Sequence, residues 1–344
     1  MIQSFLKLPP GSGREGLLPT VNNATDMNGT GHRATLAEPV ACFKPAQAAS
    51  SGGVSDKAIA WLFIAPTILL LLAINIFPLI WTIYLSFTNY KANRSAPLRW
   101  IGTTFYSDIL TDADVWQSMQ ATAHFVFWSI LLETVIGFAL AWLIDRKFRG
   151  HAFWTTIILI PMMLSPAVVG NFWTFLYQPQ IGLFNYIISF FTGIAPSSFE
   201  MIGDVTLAPW SIIIVDVWMW TPYVVLICLA GLRSIPDYIY EAAEVDRASP
   251  LRQFWSITLP MTRPFVMLAV LFRGIENFKM FDMVNLLTSG GPGSTTQLAS
   301  ITLKRAAFES WRTGYSSAFA IILFVTVFGL ANIYVKALKR VKQG

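Results

Sequence analysis

An all-α polytopic membrane protein is the fold class that this sequence predicts, and three observations predict it. Of 344 residues, 54% are hydrophobic and only 12% charged, with a mean hydropathy of +0.55, so the apolar side chains exceed what a soluble core of this length buries. The apolar residues gather into long runs, each sufficient to cross roughly 30 Å of hydrocarbon as a helix. Lysines and arginines flank those runs unevenly, about 16 on one alternating set of flanks and about 6 on the other. That asymmetry predicts six transmembrane helices with both termini in the cytoplasm.

Taken in order, residues 1–57 are rich in Gly, Ala, Pro, Asn and Ser without sustained periodicity, which predicts a disordered cytoplasmic tail; no apolar run there suits a cleaved signal peptide. The first span runs from Ala58 to about Phe87, with Pro66 and Pro78 expected to bend it and Trp61 and Trp81 toward its ends, in the manner of an uncleaved signal anchor. Further spans are expected at about 119–144, 152–177, 210–233, 262–287 and 315–337, so that 58–340 forms one six-helix domain. Residues 88–118, 178–209 and 288–314 then face outward.

Between the fourth and fifth spans, Tyr240 to Pro264 is unusually polar and predicts a cytoplasmic helical hairpin. Glu241, Ala242, Ala243 and Glu244 start a helix well; Asp246, Arg247 and Ala248 make the turn; Ser249 followed by Pro250 reads as an N-cap with proline at the first helical position. Leu251, Phe254 and Trp255 give the second arm an apolar face. By pattern alone such a pair could dock a partner or lie on lipid headgroups.

The fifth span carries more charge than a lipid-facing helix tolerates, at Arg273, Glu276, Lys279 and Asp282. Helical spacing puts Arg273, Glu276, Asn277, Met280 and Val284 on one stripe, which suits a substrate path or an interhelical contact. Arg273 is expected to pair with Glu276 one turn away, or alternatively with Asp216; Glu133 and Asp216, costly carboxylates within the second and fourth spans, are its other candidate partners. Among aromatic residues, Trp173, Tyr177, Trp218 and Trp220 could meet the apolar face of a bound solute or simply pack.

Several classes are excluded. The net charge of +5 borders membrane spans, which argues against nucleic acid. Two cysteines and three histidines offer neither a disulfide framework nor metal-ligand spacing, and no catalytic constellation is apparent. No GxxxxGK[ST] occurs, so the chain has no ATP site or other cofactor of its own.

The hairpin resembles the cytoplasmic EAA loop of binding-protein-dependent ABC importer permeases, at Glu241, Ala242, Ala243, Asp246, Ala248, Ile257, Leu259 and Pro260, with Arg247 where that family usually has glycine. Phe278, Phe281 and Asp282, then Leu287, Thr288, Gly290, Gly291, Pro292 and Gly293, resemble the first permease subunit of carbohydrate importers of the maltose and glycerol-phosphate type. The resemblance covers about 58–340. It implies a bacterial inner-membrane permease for a sugar, polyol or related carbohydrate, paired with a second permease. It also implies that residues 241–248 couple to ATP-binding cassette subunits, which bind the ATP and Mg, that Arg273, Glu276, Asn277 and Met280 line the substrate path, and that Gly290–Gly293 contact an extracytoplasmic solute-binding protein. An ion-coupled carrier using Glu133, Asp216 and Glu276 is the competing class, disfavoured because no second, inverted repeat accompanies the six spans.

Overall fold

The computed structural model describes residues 55–93, 97–146 and 149–343. The chain falls into two units, Met1–Ile59 and Ala60–Gly344. The tail expected over 1–57 lies, apart from 55–57, outside the described residues. No strand forms among the described residues; an isolated bridge joins Thr88 and Trp100.

Helix α1, Asp56–Ser86, runs unbroken through Pro66 and Pro78, and nothing in its membrane window is buried. It joins the body at its C-terminal end, where Ser86 Oγ and Tyr106 OH lie 2.8 Å apart and Phe87 stacks on Trp100. After α2, Thr104–Thr111, helix α3 spans Ala113–Asp145 and starts earlier than its apolar run because Asp112 caps it, accepting from the Asp114 N–H at 2.9 Å.

The third expected span is not one helix. It divides into α4, His151–Leu159, a 3-10 turn at Pro161–Met163, and α5, Pro166–Leu176. Pro161 and Pro166 each remove a helix donor, and Pro166 drives the preceding Ser165 to extended backbone (φ −68°, ψ 137°).

Helix α6, Leu183–Thr192, leads to α7, Leu207–Arg233, the hub of the fold, with 67% of its membrane window buried. It packs most closely on α3. There Gly137 is required by proximity, since a Cβ at that position would sit 2.8 Å from the Val224 side chain. Gly137→Leu is accordingly expected to force the two helices apart at a cost of about 1–3 kcal/mol, read as a lower melting temperature of the detergent-purified protein. An unchanged melt would show that the helices separate freely.

Helix α8, Asp237–Val245, is followed by α9, Pro250–Gln253, a π turn at Phe254–Thr258, and α10, Leu259–Phe278; from Pro250 to Phe278 the helix is continuous. The fifth span thus begins earlier than 262 and ends at 278 rather than 287. Phe281 leaves helical geometry (φ −137°, ψ −60°), the Met280 carbonyl accepts from Ser300 Oγ at 2.5 Å, and α11, Asp282–Leu287, forms a separate helix packed on α5. Then come α12, Ala299–Lys304, a π turn at Arg305–Glu309, and α13, Thr313–Gln343. Five helices among the described residues are long and apolar enough to cross a membrane: Lys57–Ser86, Ala113–Asp145, Leu207–Arg233, Pro250–Phe278 and Thr313–Arg340.

Candidate functional site

Where α3, α7 and α10 converge, each contributes a charged residue to one buried cluster. Arg273, 1% exposed, donates from Nε to Glu133 Oε2 at 2.7 Å and from Nη2 to Glu133 Oε1 at 2.8 Å. The same Nη2 reaches both oxygens of Asp216, at 3.3 and 3.2 Å, and the side-chain oxygen of Asn277. Asn277 closes the ring by donating from Nδ2 to Asp216 Oδ2 at 3.1 Å. The guanidinium also stands 4.7 Å from the centre of the Trp220 ring, a cation–π contact that sequence spacing did not reveal. Two-pronged charge-assisted bonds of this kind are the strong ones, and they offset the desolvation of three ionisable groups.

The expected Arg273–Glu276 pair is not formed. Glu276 lies off the buried face and accepts from Lys279 Nζ at 2.8 Å, both side chains more than half exposed. Asn277, four residues from Arg273, shares its buried face. Met280 is buried but lies beyond the end of α10, and Val284 belongs to α11, so the anticipated single stripe is divided between two helices. Arg273 Nη1, Trp220 Nε1, Thr221 Oγ1 and Ser129 Oγ are among the buried polar atoms without a hydrogen-bond partner in the protein.

The polar loop has a defined form. Helix α8 ends in two reversed bonds, Arg247 N–H to Glu244 O and Ala248 N–H to Ala243 O, both 2.9 Å, with Arg247 itself left-handed at φ 53°. This is a Schellman ending in which glycine normally supplies the left-handed residue. Arg247→Gly should therefore stabilise the loop by about 1 kcal/mol, visible as slower amide exchange at Ala248, whose N–H closes the turn; a faster exchange would contradict the strain. Ser249 caps α9, and Gln253 Nε2 donates to the Ala248 carbonyl at 3.1 Å. Phe254 meets Phe138 and Trp142 of α3 edge-on at 6.0 and 5.6 Å, which fastens the loop to that span, and Tyr240 OH lies 2.9 Å from Thr258 Oγ1, which joins the two arms. Glu241, Ala242, Asp246 and Arg247 are exposed, Ala243 and Ala248 half-buried.

The glycine-rich loop after α11 is folded on itself. Thr296 Oγ1 donates to the Gly291 carbonyl at 2.6 Å, and Arg305 donates from Nη2 to Ser289 O at 2.6 Å and from Nη1 to Gln297 Oε1 at 2.7 Å. Gly290 is buried, Gly291 and Pro292 half-buried, and Gly293 exposed.

Membrane-length helices that converge on a buried charged cluster, with a polar loop fastened to α3, define a multi-pass membrane protein. Residues 133–342 match the family described as the binding-protein-dependent transport system inner membrane component, and the chain belongs to that family. It is 33% identical over 285 residues to the trehalose/maltose transport system permease protein MalF of Thermococcus litoralis, covering 82% of this chain and 94% of that one. It is 27% identical over 289 residues to the sulfoquinovosyl glycerol transport system permease protein SmoG of Agrobacterium fabrum, covering 83% and 92% respectively. The fold matches a crystal structure of a bacterial ABC transporter involved in the import of the acidic polysaccharide alginate, with a TM-score of 0.72 over 82% of this chain and 95% of that one, at 19% identity. The chain is a multi-pass inner-membrane permease of an ABC importer, not an enzyme.

Proposed function

We propose that the chain is one of two dissimilar permease subunits of an ATP-driven importer for a sugar, polyol or related carbohydrate. The observation that carries this is its identity along nearly the whole length of a trehalose/maltose permease. The relatives are named for different solutes, which supports a class and not one sugar. In this reading 58–340 is the transmembrane domain and the chain crosses six times, α4 and α5 together making the third crossing. Both termini and residues 240–260 are cytoplasmic.

Residues Glu241, Ala242, Ala243, Asp246, Arg247 and Ala248 form an EAA hairpin that docks on an ATP-binding cassette subunit, where the ATP and Mg are held; their exposure and the fastening through Phe254 support this. The substrate path runs beside Arg273, Glu276, Asn277 and Met280. A second permease completes that path, supported by the unburied α1 and by the exposed Glu276–Lys279 pair near the end of a membrane helix. Gly290, Gly291, Pro292 and Gly293 present the edge that meets a solute-binding protein. At Gly291 a Cβ would meet nothing closer than 3.4 Å, so Gly291→Trp should spare folding and impair transport.

The reading is tested by reconstituting the chain with a second permease, ATPase subunits and the binding protein in liposomes. Uptake of a labelled oligosaccharide is expected only with ATP on the ATPase side and binding protein on the other. Uptake by this chain alone, driven by an ion gradient without ATP, would instead establish a secondary carrier.

A further inference from the structure

Helix α6 is held to the body by one face and leaves the other uncovered. Asn185, fully buried, donates from Nδ2 to the carbonyls of Phe199 at 2.9 Å, Gln178 at 3.3 Å and Tyr177 at 3.4 Å. Phe184 meets Trp173 and Tyr177 edge-on at 5.7 and 5.1 Å, and buried Tyr177 donates to the Ser211 carbonyl at 3.1 Å. The helix is thereby fixed against the end of α5 and the start of α7.

The opposite face carries Leu183, Tyr186, Ile187, Phe190 and Phe191, at spacings i, i+3, i+4, i+7 and i+8. All five are exposed, Phe190 and Phe191 by 84% and 81%. From 178 to 199 there is no Asp, Glu, Lys or Arg. An apolar face of this kind in water is a liability, and its occupant must be equally apolar and present throughout the life of the protein.

We infer that α6 lies in the bilayer surface, its Leu183–Phe191 face sunk into the boundary between headgroups and acyl chains of the outer leaflet. Two observations select lipid over protein. The chain leaves α5, part of the third crossing proposed above, at Leu176 and begins the membrane-length helix α7 at Leu207, and the bonds from Asn185 and Tyr177 hold α6 at that level between them. The face also lacks the charged rim with which a water-soluble partner would be recognised, whereas tyrosine and phenylalanine suit an interface that is apolar on one side and wet on the other. The leaflet and the membrane level of α5 both rest on the crossing pattern proposed above.

The test uses the assembled transporter in lipid vesicles, in a background with Cys42→Ser and Cys228→Ala, with nitroxide labels at Phe190→Cys, Ile187→Cys and the exposed Ser197→Cys. Labels at 187 and 190 are expected to relax strongly with oxygen and weakly with a water-soluble nickel chelate, and the label at 197 the reverse. Nickel access at 190 equal to that at 197 would overturn the immersion, and exclusion of both agents would assign the face to a protein partner. The leaflet is read separately, from an impermeant thiol reagent at 197 in intact spheroplasts. Reaction only in inverted vesicles would refute the crossing pattern and the outer-leaflet placement together, while the oxygen result would still report immersion.

Discussion

Methionine in place of Arg273 is expected to be among the most damaging single changes available in this chain. It leaves Glu133 and Asp216, both fully buried, without their shared cation, and breaking a buried ion pair from one side costs about 3–5 kcal/mol. The purified subunit should lose most of its cooperative melt. Adding Glu133→Gln and Asp216→Asn removes the stranded charges and should restore folding without restoring transport. Full transport by the triple variant would confine the cluster to holding three helices together. Asn277→Ala is a poorer probe, because Asn277 bonds both Arg273 and Asp216 and its loss strands polar groups, at about 1–3 kcal/mol. Glu276→Gln, at an exposed side chain, separates path from fold more cleanly.

Charge reversal at Glu241 should have a comparable effect on function and almost none on folding. The side chain is exposed on α8 and has no hydrogen bond or ion pair among those found for the described residues, so Glu241→Lys should melt as the parent does. If the loop seats in an ATPase subunit, reversal replaces an attraction with a repulsion, and co-purification of that subunit should fall at least about tenfold, equivalent to about 1.4 kcal/mol. Cysteines at 241–248 should cross-link to the ATPase in the parent. Labelling of those positions by lipid probes alone would mean that the loop rests on the bilayer.

The sequence made the all-α membrane class legible because hydropathy measures transfer out of water. It does not report what replaces the water. Helices α1 and α7 are both apolar throughout, yet one has an entirely unburied membrane window and the other is the hub. The break of the third span was written in Pro161 and Pro166 but was outweighed by the length of the apolar run. No proline or glycine marks the end of α10; it depends on Ser300 from α12 capturing a carbonyl, a tertiary event. Periodicity likewise relates Arg273 to Glu276 within one helix, whereas the partners it meets stand on α3 and α7, 140 and 57 positions away. The cost of a carboxylate within a span nevertheless named both Asp216 and Glu133 as alternative partners of Arg273, and both pairs form. The left-handed turn at Arg247 was readable, since the motif marks that position with glycine.

The π turn at Phe254–Thr258 acts as a phase reserve. It lies inside the uninterrupted helix from Pro250 to Phe278, about four to five helical turns upstream of Arg273. A π turn closes i→i+5 bonds and so takes about one residue more per turn than an α-helix; removing one residue from it would restore α winding and leave Arg273 near its azimuth, whereas removing one residue between Leu259 and Arg273 would swing Arg273 by about 100°. The guanidinium would then point away from Glu133 toward the periphery of the bundle. Five residues beside the polar loop thus hold one residue of slack between that loop and the azimuth at which a cation farther along the same rod meets its two anions.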